Sequence, residues 1–225
     1  MRPVVKGPAP RVYAKHGDAL DDLIDRLGRY CSYCERRLPN LPAVEHVEPQ
    51  SLVPSKKLSW ANFLLSCGNC NSTKLNKPVD LSKIAFPHLD CTARGLSYTG
   101  SRVKIAPGLS AGEKKLVQAV VSLVGLDRHP AGPKPSPKDK RWQDREQVWG
   151  IANEVKRDLK GDPTNATLRS MALRVAQGFG HFSVWMTVFD DDKDMKQRLI
   201  DLFPGTAKNC FNANLKPIKR PGGKL

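Results

Sequence analysis

Apolar positions along the chain fall into short runs of two different periods. Leu20, Leu23, Ile24 and Leu27 recur at helical spacing between Asp18 and Gly28, which predicts a helix N-capped by Asp18 and ended by the glycine. Val44 to Val47 reads as a strand stopped by Pro49. A polar loop from Ser51 to Ser59 then leads to Trp60, Asn62 and the apolar run Phe63-Leu64-Leu65. Cys67, Cys70, Asn71 and Lys74 lie at i, i+3, i+4 and i+7, the spacing of a knuckle running into a helix that carries them along one side. Further on, Ser110 and Glu113 form a capping box ahead of Leu116, Val117, Val120, Val121 and Val124, a helix closed by Gly125.

Residues 127–141 hold Pro130, Pro133, Pro135 and Pro137 among lysines. Proline fixes φ and removes a backbone donor, so this stretch reads as an extended linker. It divides an N-terminal unit, residues 1–126, from a helical unit, residues 142–225. Three helical patterns follow: Val148, Ile151, Ala152, Val155 and Leu159; Leu168, Met171, Ala172 and Val175; and Met195, Leu199, Ile200 and Leu202. Asp162-Pro163 supplies a start signal between the first two. Trp149, Phe179, Phe182 and Trp185 are expected in the core. A few short strands followed by many helices give an α+β class.

Composition adds a partner class. Of 225 residues, 40% are hydrophobic, enough for a packed core, and 37 Lys and Arg against 22 Asp and Glu leave a net charge of +15, which favours a polyanion, nucleic acid above all. Arg2, Lys6, Arg11 and Lys15 near the start, and Lys208, Lys216, Lys219, Arg220 and Lys224 in the tail, are candidate phosphate-contacting arms. The plain alternative is a pair of solvated termini. The chain opens on no charged segment followed by an apolar core and holds no apolar run of membrane length, so a cytoplasmic, reducing compartment is expected.

The chemistry concentrates in one segment. Cys31 and Cys34, then Cys67 and Cys70, form two CxxC pairs, four thiolates for one closed structural zinc site. Cys91 and Cys210 have no such partner and read as free thiols. Between the pairs lie Glu45 and His46. His46 is the one imidazole there, basic near neutral pH and so a candidate general base for attack of water on a phosphodiester. Glu45 offers a carboxylate and Asn71 an amide oxygen, hard donors suited to Mg²⁺ or Mn²⁺. Adjacent strand residues point to opposite faces, so Glu45 and His46 share one site only at a strand end or bend. Taken singly, His46 reads as a histidine in a core hydrogen bond and Glu45 as a surface carboxylate. Lys74 either contacts a nucleic-acid phosphate or ends a solvated helix face. His16, His88, His129 and His181 have no ligand-type company and are taken as surface or core histidines.

The order EHVEP, then Asn62 ahead of Leu64-Leu65, then CGNCNSTK, resembles the HNH nucleases of the ββα-metal fold over residues 31–77. That resemblance implies a small zinc-clasped ββα-metal core in which Glu45 and Asn71 hold the divalent ion, His46 activates water and Asn62 shapes the loop between the strands. Histidine is frequent where Asn71 stands. MRPVVKGPAPRVY, GRYCSYCERRL, VEHVEP and NFLLSCGNCNSTK are also similar to the HNH component of Septu anti-phage systems, the PtuB family, which is found with some retrons too. This implies bacterial defence, a phage or plasmid DNA target or an RNA one, and an ABC/SMC-like ATPase partner of the PtuA type on which the helical region with its basic tail would dock. Three readings stand: a metal-dependent endonuclease, a non-catalytic zinc module that binds nucleic acid, and an assembly subunit.

Overall fold

Asp18 does not cap the first helix. In the computed structural model, which describes residues 1–40, 42–132 and 136–225, its carboxylate accepts the amide of Lys15 at 3.0 Å. It thereby closes a 3-10 turn over His16–Ala19. Helix α1 (Leu20–Leu27) follows, burying Leu23 and Leu27, and Gly28 at φ +71° ends it. Strand β1 (Ala43–His46) pairs antiparallel with β2 (Phe63–Ser66), with Glu45 opposite Leu64 and His46 opposite Phe63. Because β2 is buried along its whole length, it is uniformly apolar up to Ser66 rather than alternating. Helix α2 (Gly68–Lys74) completes a ββα unit.

Next come α3 (Thr92–Gly95) and a hairpin of β3 (Leu96–Thr99) and β4 (Arg102–Ile105), which turns at Gly100 with φ +56°. The hairpin is absent from the pattern reading, since strands of four residues hold only two repeats of the period. In α4 (Ala111–Val124) the capping box is formed: Glu113 N–H donates to Ser110 Oγ at 3.2 Å and Ser110 N–H to Glu113 Oε2 at 2.9 Å. Gly125 closes the helix at φ +59°.

Helices α5 (Arg141–Gly161), α6 (Ala166–Phe179), α7 (Phe182–Val188) and α8 (Lys193–Leu202) make up the rest. Asn165, not Asp162-Pro163, caps α6 by accepting Leu168 N–H at 2.8 Å, and Asp192 caps α8 through Met195 N–H at 2.9 Å. Phe182 and Trp185 are buried and Trp149 is half-buried against the core, but Met171 and Phe179 of α6 are exposed. No helix is long and apolar enough to cross a membrane among the described residues.

The main hydrophobic core gathers side chains from both sides of residues 127–141, Leu23, Phe63 and Val120 with Val148, Trp185 and Leu199 among them. Pro133 and Pro135 of the expected linker lie outside the described residues. Asp139 and Arg141, immediately beyond, are buried. Glu35 ties the same halves. At φ +67° in the first cysteine knuckle, it accepts Ser183 Oγ–H at 2.6 Å and Ser183 N–H at 3.0 Å, and its Oε1 lies 3.4 Å from the Met1 ammonium. Burial pushes the Glu35 carboxyl up, but that ammonium and Ser183 outweigh it and hold the group below its usual range. Gly180 passes so close that a Cβ there would meet the Glu35 carbonyl at 2.4 Å, which explains the glycine.

The charged termini are not free arms. Arg2 is buried, donating to the carbonyls of Pro204 at 2.6 Å and Leu27 at 2.7 Å. Lys6 is buried as well and donates to the carbonyls of Trp60 and Phe63. Arg11 pairs with Asp22, Lys208 with Asp201, Lys216 with Asp190 and Lys224 with Asp90. Arg2 and Lys6 are thus spent inside the fold, whereas Arg11, Lys15, Lys208, Lys216 and Lys219 stay on the surface.

Candidate active site

Two short-range devices bring the four CxxC cysteines together. The first knuckle is closed by Glu35 N–H donating to Cys31 O at 2.9 Å and Cys31 N–H to Arg36 O at 3.0 Å, with the chain left-handed at Glu35. The second is the N-terminus of α2, where Cys70 N–H donates to Cys67 Sγ at 3.4 Å. All four sulfurs are buried and lie within 4.8 Å of one another, Cys34 and Cys67 at 3.7 Å. Thiolates held about 2.3 Å from a tetrahedral ion stand about 3.8 Å apart, so this donor set fits zinc. Arg141 Nη1 donates to Cys70 Sγ at 3.0 Å, a positive charge of the kind that thiolate ligands recruit.

Inside this clasp, β1 delivers Glu45 and His46 to one cleft of about 300 Å³, lined also by Asn71, Lys74 and Leu75 at the end of α2 and by His16. The two reach the same cleft despite strand alternation because β1 ends at His46 and the chain turns toward Pro49. His46 Nε2 lies 2.9 Å from the carbonyl of Lys57. A carbonyl only accepts, so Nε2 carries the proton and the lone pair resides on Nδ1. Burial holds the imidazole below its ordinary pKa, and the charges of His16, Lys74 and Lys57 reinforce this against the Lys57 carbonyl. At neutral pH His46 is therefore an uncharged base.

Asn62 fixes the loop that presents that carbonyl. Its Oδ1 accepts Glu48 N–H at 2.8 Å, and its Nδ2 donates to Glu48 O at 2.9 Å and Lys56 O at 3.3 Å. With the side chain 3% exposed, the amide is wholly engaged in shaping the turn from β1 to β2. Asn62 thus positions His46 through Lys57 without entering the cleft.

Glu45 is buried and pushed up to about 7 by desolvation, against the pull of Lys74. Lys74 Nζ stands 2.8 Å from Glu45 Oε1 and donates its hydrogen bond to His46 O at 2.7 Å, leaving Oε1 without one of good geometry. The side chain of Asn71 makes no hydrogen bond among the described residues. One buried carboxylate, ion-paired with Lys74, and one amide oxygen free of hydrogen bonds thus share the cleft as hard donors, the kind a divalent ion of the Mg²⁺ class takes. Lys74 itself is only 1% exposed, so it does not lie on a solvated helix face.

His16 is the residue that sequence reasoning missed. Its ring centroid lies 5.0 Å from that of His46, across the cleft wall. Only the packing of the first 3-10 turn on β1 creates this pairing, so no local signal announces it. Cys91 and Cys210 are buried away from the cluster, with Cys91 Sγ donating to Cys210 O at 3.5 Å.

The family model described as HNH endonuclease matches residues 31–77, from the first cysteine to three residues past Lys74. No curated protein matches the chain.

Proposed function

We propose that this chain is a divalent-metal-dependent HNH endonuclease that hydrolyses phosphodiester bonds of DNA. The observation that carries the reading is His46, an uncharged imidazole with its tautomer set by Lys57 O, in one cleft with the carboxylate of Glu45 and the amide of Asn71. Glu45 and Asn71 would hold Mg²⁺ or Mn²⁺, which supplies charge stabilisation for the phosphate and the leaving oxygen when bound. His46 Nδ1 takes the proton from the attacking water, and the proton on Nε2 stays with the Lys57 carbonyl. Asn62 keeps that carbonyl in place. The Lys74 ammonium offsets part of the burial that pushes Glu45 up to about 7, which raises the ionised fraction of that carboxyl at neutral pH. The cysteine cluster takes no part in the reaction and holds both ends of the insertion that carries it.

The finer role follows from the resemblance of the N-terminal segments to the PtuB family. On that basis the chain acts as the nuclease subunit of an anti-phage complex, with a PtuA-like ABC/SMC ATPase as partner. Helices α5 to α8 contribute no residue to the cleft, which supports packing and docking as their work. Plasmid cleavage with Mg²⁺ or Mn²⁺, with and without that ATPase, tests the reading beside His46→Ala. Metal-dependent cutting lost in the variant, at unchanged zinc content, is the expected result. Cutting by neither protein would leave a zinc-held binding or assembly module.

A further inference from the structure

A second cavity, of about 580 Å³, lies against the Trp60–Asn62 turn and shares no residue with the cleft. Lys6, His88 and Arg220 line it, and no carboxylate does among the described residues. Lys6 is buried with its ammonium on backbone carbonyls only, Trp60 O at 2.6 Å, Phe63 O at 2.5 Å and, more distantly, Ala61 O at 3.4 Å. Arg220 Nη1 likewise donates to carbonyls, Val4 O at 3.0 Å and Pro87 O at 3.3 Å. Nδ1 of His88 is buried without a partner. The neighbouring carboxylate, Asp90, is already occupied by Lys224 at 2.9 Å and by the amide of Phe86.

Buried cations are normally paired, because removing a charge from water without a counter-charge is costly. Here the positive field is unbalanced, and its neighbours register it. Burial and the charges of Lys6, Arg220 and Lys224 push His88 down to about 3, and burial alone pushes Lys6 down to about 7. An anion would offset both. Three separate nitrogen-bearing groups around a space of this size suit an oxyanion with several acceptor oxygens, and a guanidinium matches the phosphate edge.

We propose that the cavity walled by Lys6, His88 and Arg220 is a phosphate-binding site distinct from the cleft around His46. The phosphate belongs either to a nucleic-acid backbone or to a small phosphorylated molecule. Its seat touches the turn whose carbonyls Lys6 holds on both sides of Asn62, so occupancy stiffens the segment that positions His46.

Binding is measured on the full chain without divalent ions, so the outcome does not depend on the nuclease reading. Inorganic pyrophosphate and a short single-stranded DNA are titrated by calorimetry into the His46→Ala protein. The same titrations are run with Ala9→Glu or Arg220→Gln added, after thermal melts confirm folding. Ala9 is an exposed wall residue, so the glutamate adds a carboxylate to the cavity without removing a contact. Saturable pyrophosphate binding weakened about tenfold or more by each change, the worth of one charged contact, is expected. Parallel weakening of DNA binding by Ala9→Glu identifies the phosphate as backbone, while DNA binding left intact identifies a small phosphorylated molecule. Absence of saturable pyrophosphate binding, or binding indifferent to Ala9→Glu in a folded protein, overturns the proposal.

Discussion

Arg141 is a buried cation whose guanidinium touches the sulfur cluster, and replacing it with methionine is the sharpest test of how the metal cluster is held. The guanidinium is 2% exposed and donates to Cys70 Sγ at 3.0 Å, Val124 O at 3.0 Å, Gly125 O at 2.7 Å and both oxygens of Asp139. Methionine fills much of the volume but leaves Asp139, itself 4% exposed, with the backbone amide of residue 141 and, as counter-charge, the more distant Arg128 at 3.8 Å. Breaking a buried ion pair by removing one partner costs about 3–5 kcal/mol. In a chain of this size each kcal/mol moves Tm by about 2–4 °C, so the melt should fall by about 6–20 °C. Loss of the donor to Cys70 also weakens the sulfur cage, so zinc should pass faster to a chromophoric chelator than from wild type. Arg141→Lys keeps the charge and loses the fork, which places it between the two. An Arg141→Met protein melting within about 2 °C of wild type, with unchanged zinc release, would refute the assignment of Arg141 as the clasp's counter-charge.

Asn62→Ala strands the amide of Glu48 and frees the loop that carries Lys57 O, so about 1–3 kcal/mol of stability is lost in denaturant melts. With His46 misaimed, cleavage falls about a hundredfold while zinc content holds, and full activity would deny that Asn62 positions the base. His181, buried and held near 4 by desolvation, gives the stability a pH signature. Its folded value lies below the ordinary value of about 6.5, so as pH falls the unfolded chain binds the proton first. Stability is therefore full above about 6.5 and declines toward about 4. His181→Asn, which tolerates the φ of +58° at that position, should flatten the decline of Tm across that window.

What the sequence made legible was chemistry set by short spacings. The CxxC pairs announce a sulfur cluster because a knuckle is a local structure, and the capping box of α4 with Gly125 announces both ends of that helix for the same reason. The ββα order of strands and helix was also readable, since each element carries its own period. Illegible were the features made by distant packing. His16 meets His46 only after a 3-10 turn folds on β1. The basic residues of the termini read as arms because nothing local says that Arg2 will reach Pro204 or that Lys6 will hold the Trp60 carbonyl. Lys74 read as a helix-end charge, yet a carboxylate twenty-nine residues earlier draws it inside. Phe179 and Met171 read as core on composition and period; the predicted face of α6 does pack, through Ala172 and Ala176 with Leu168 and Val175 beside them, but Met171 falls at its edge and Phe179 at the helix end, and both are exposed.

The interlock of the two chain ends also bears on when the molecule matures during synthesis. Val4 bridges Thr206, Val5 N–H donates to Gly205 O at 2.8 Å, and Arg220 reaches back to Val4 O. Contacts that span nearly the whole chain close late, because loop closure must precede them. Until residues 204–220 have been made, Val4 and Val5 lack these partners, although Lys6 already has the carbonyls of Trp60 and Phe63 within reach. A nascent copy thus carries its metal knuckles and its histidine before the brace behind them exists.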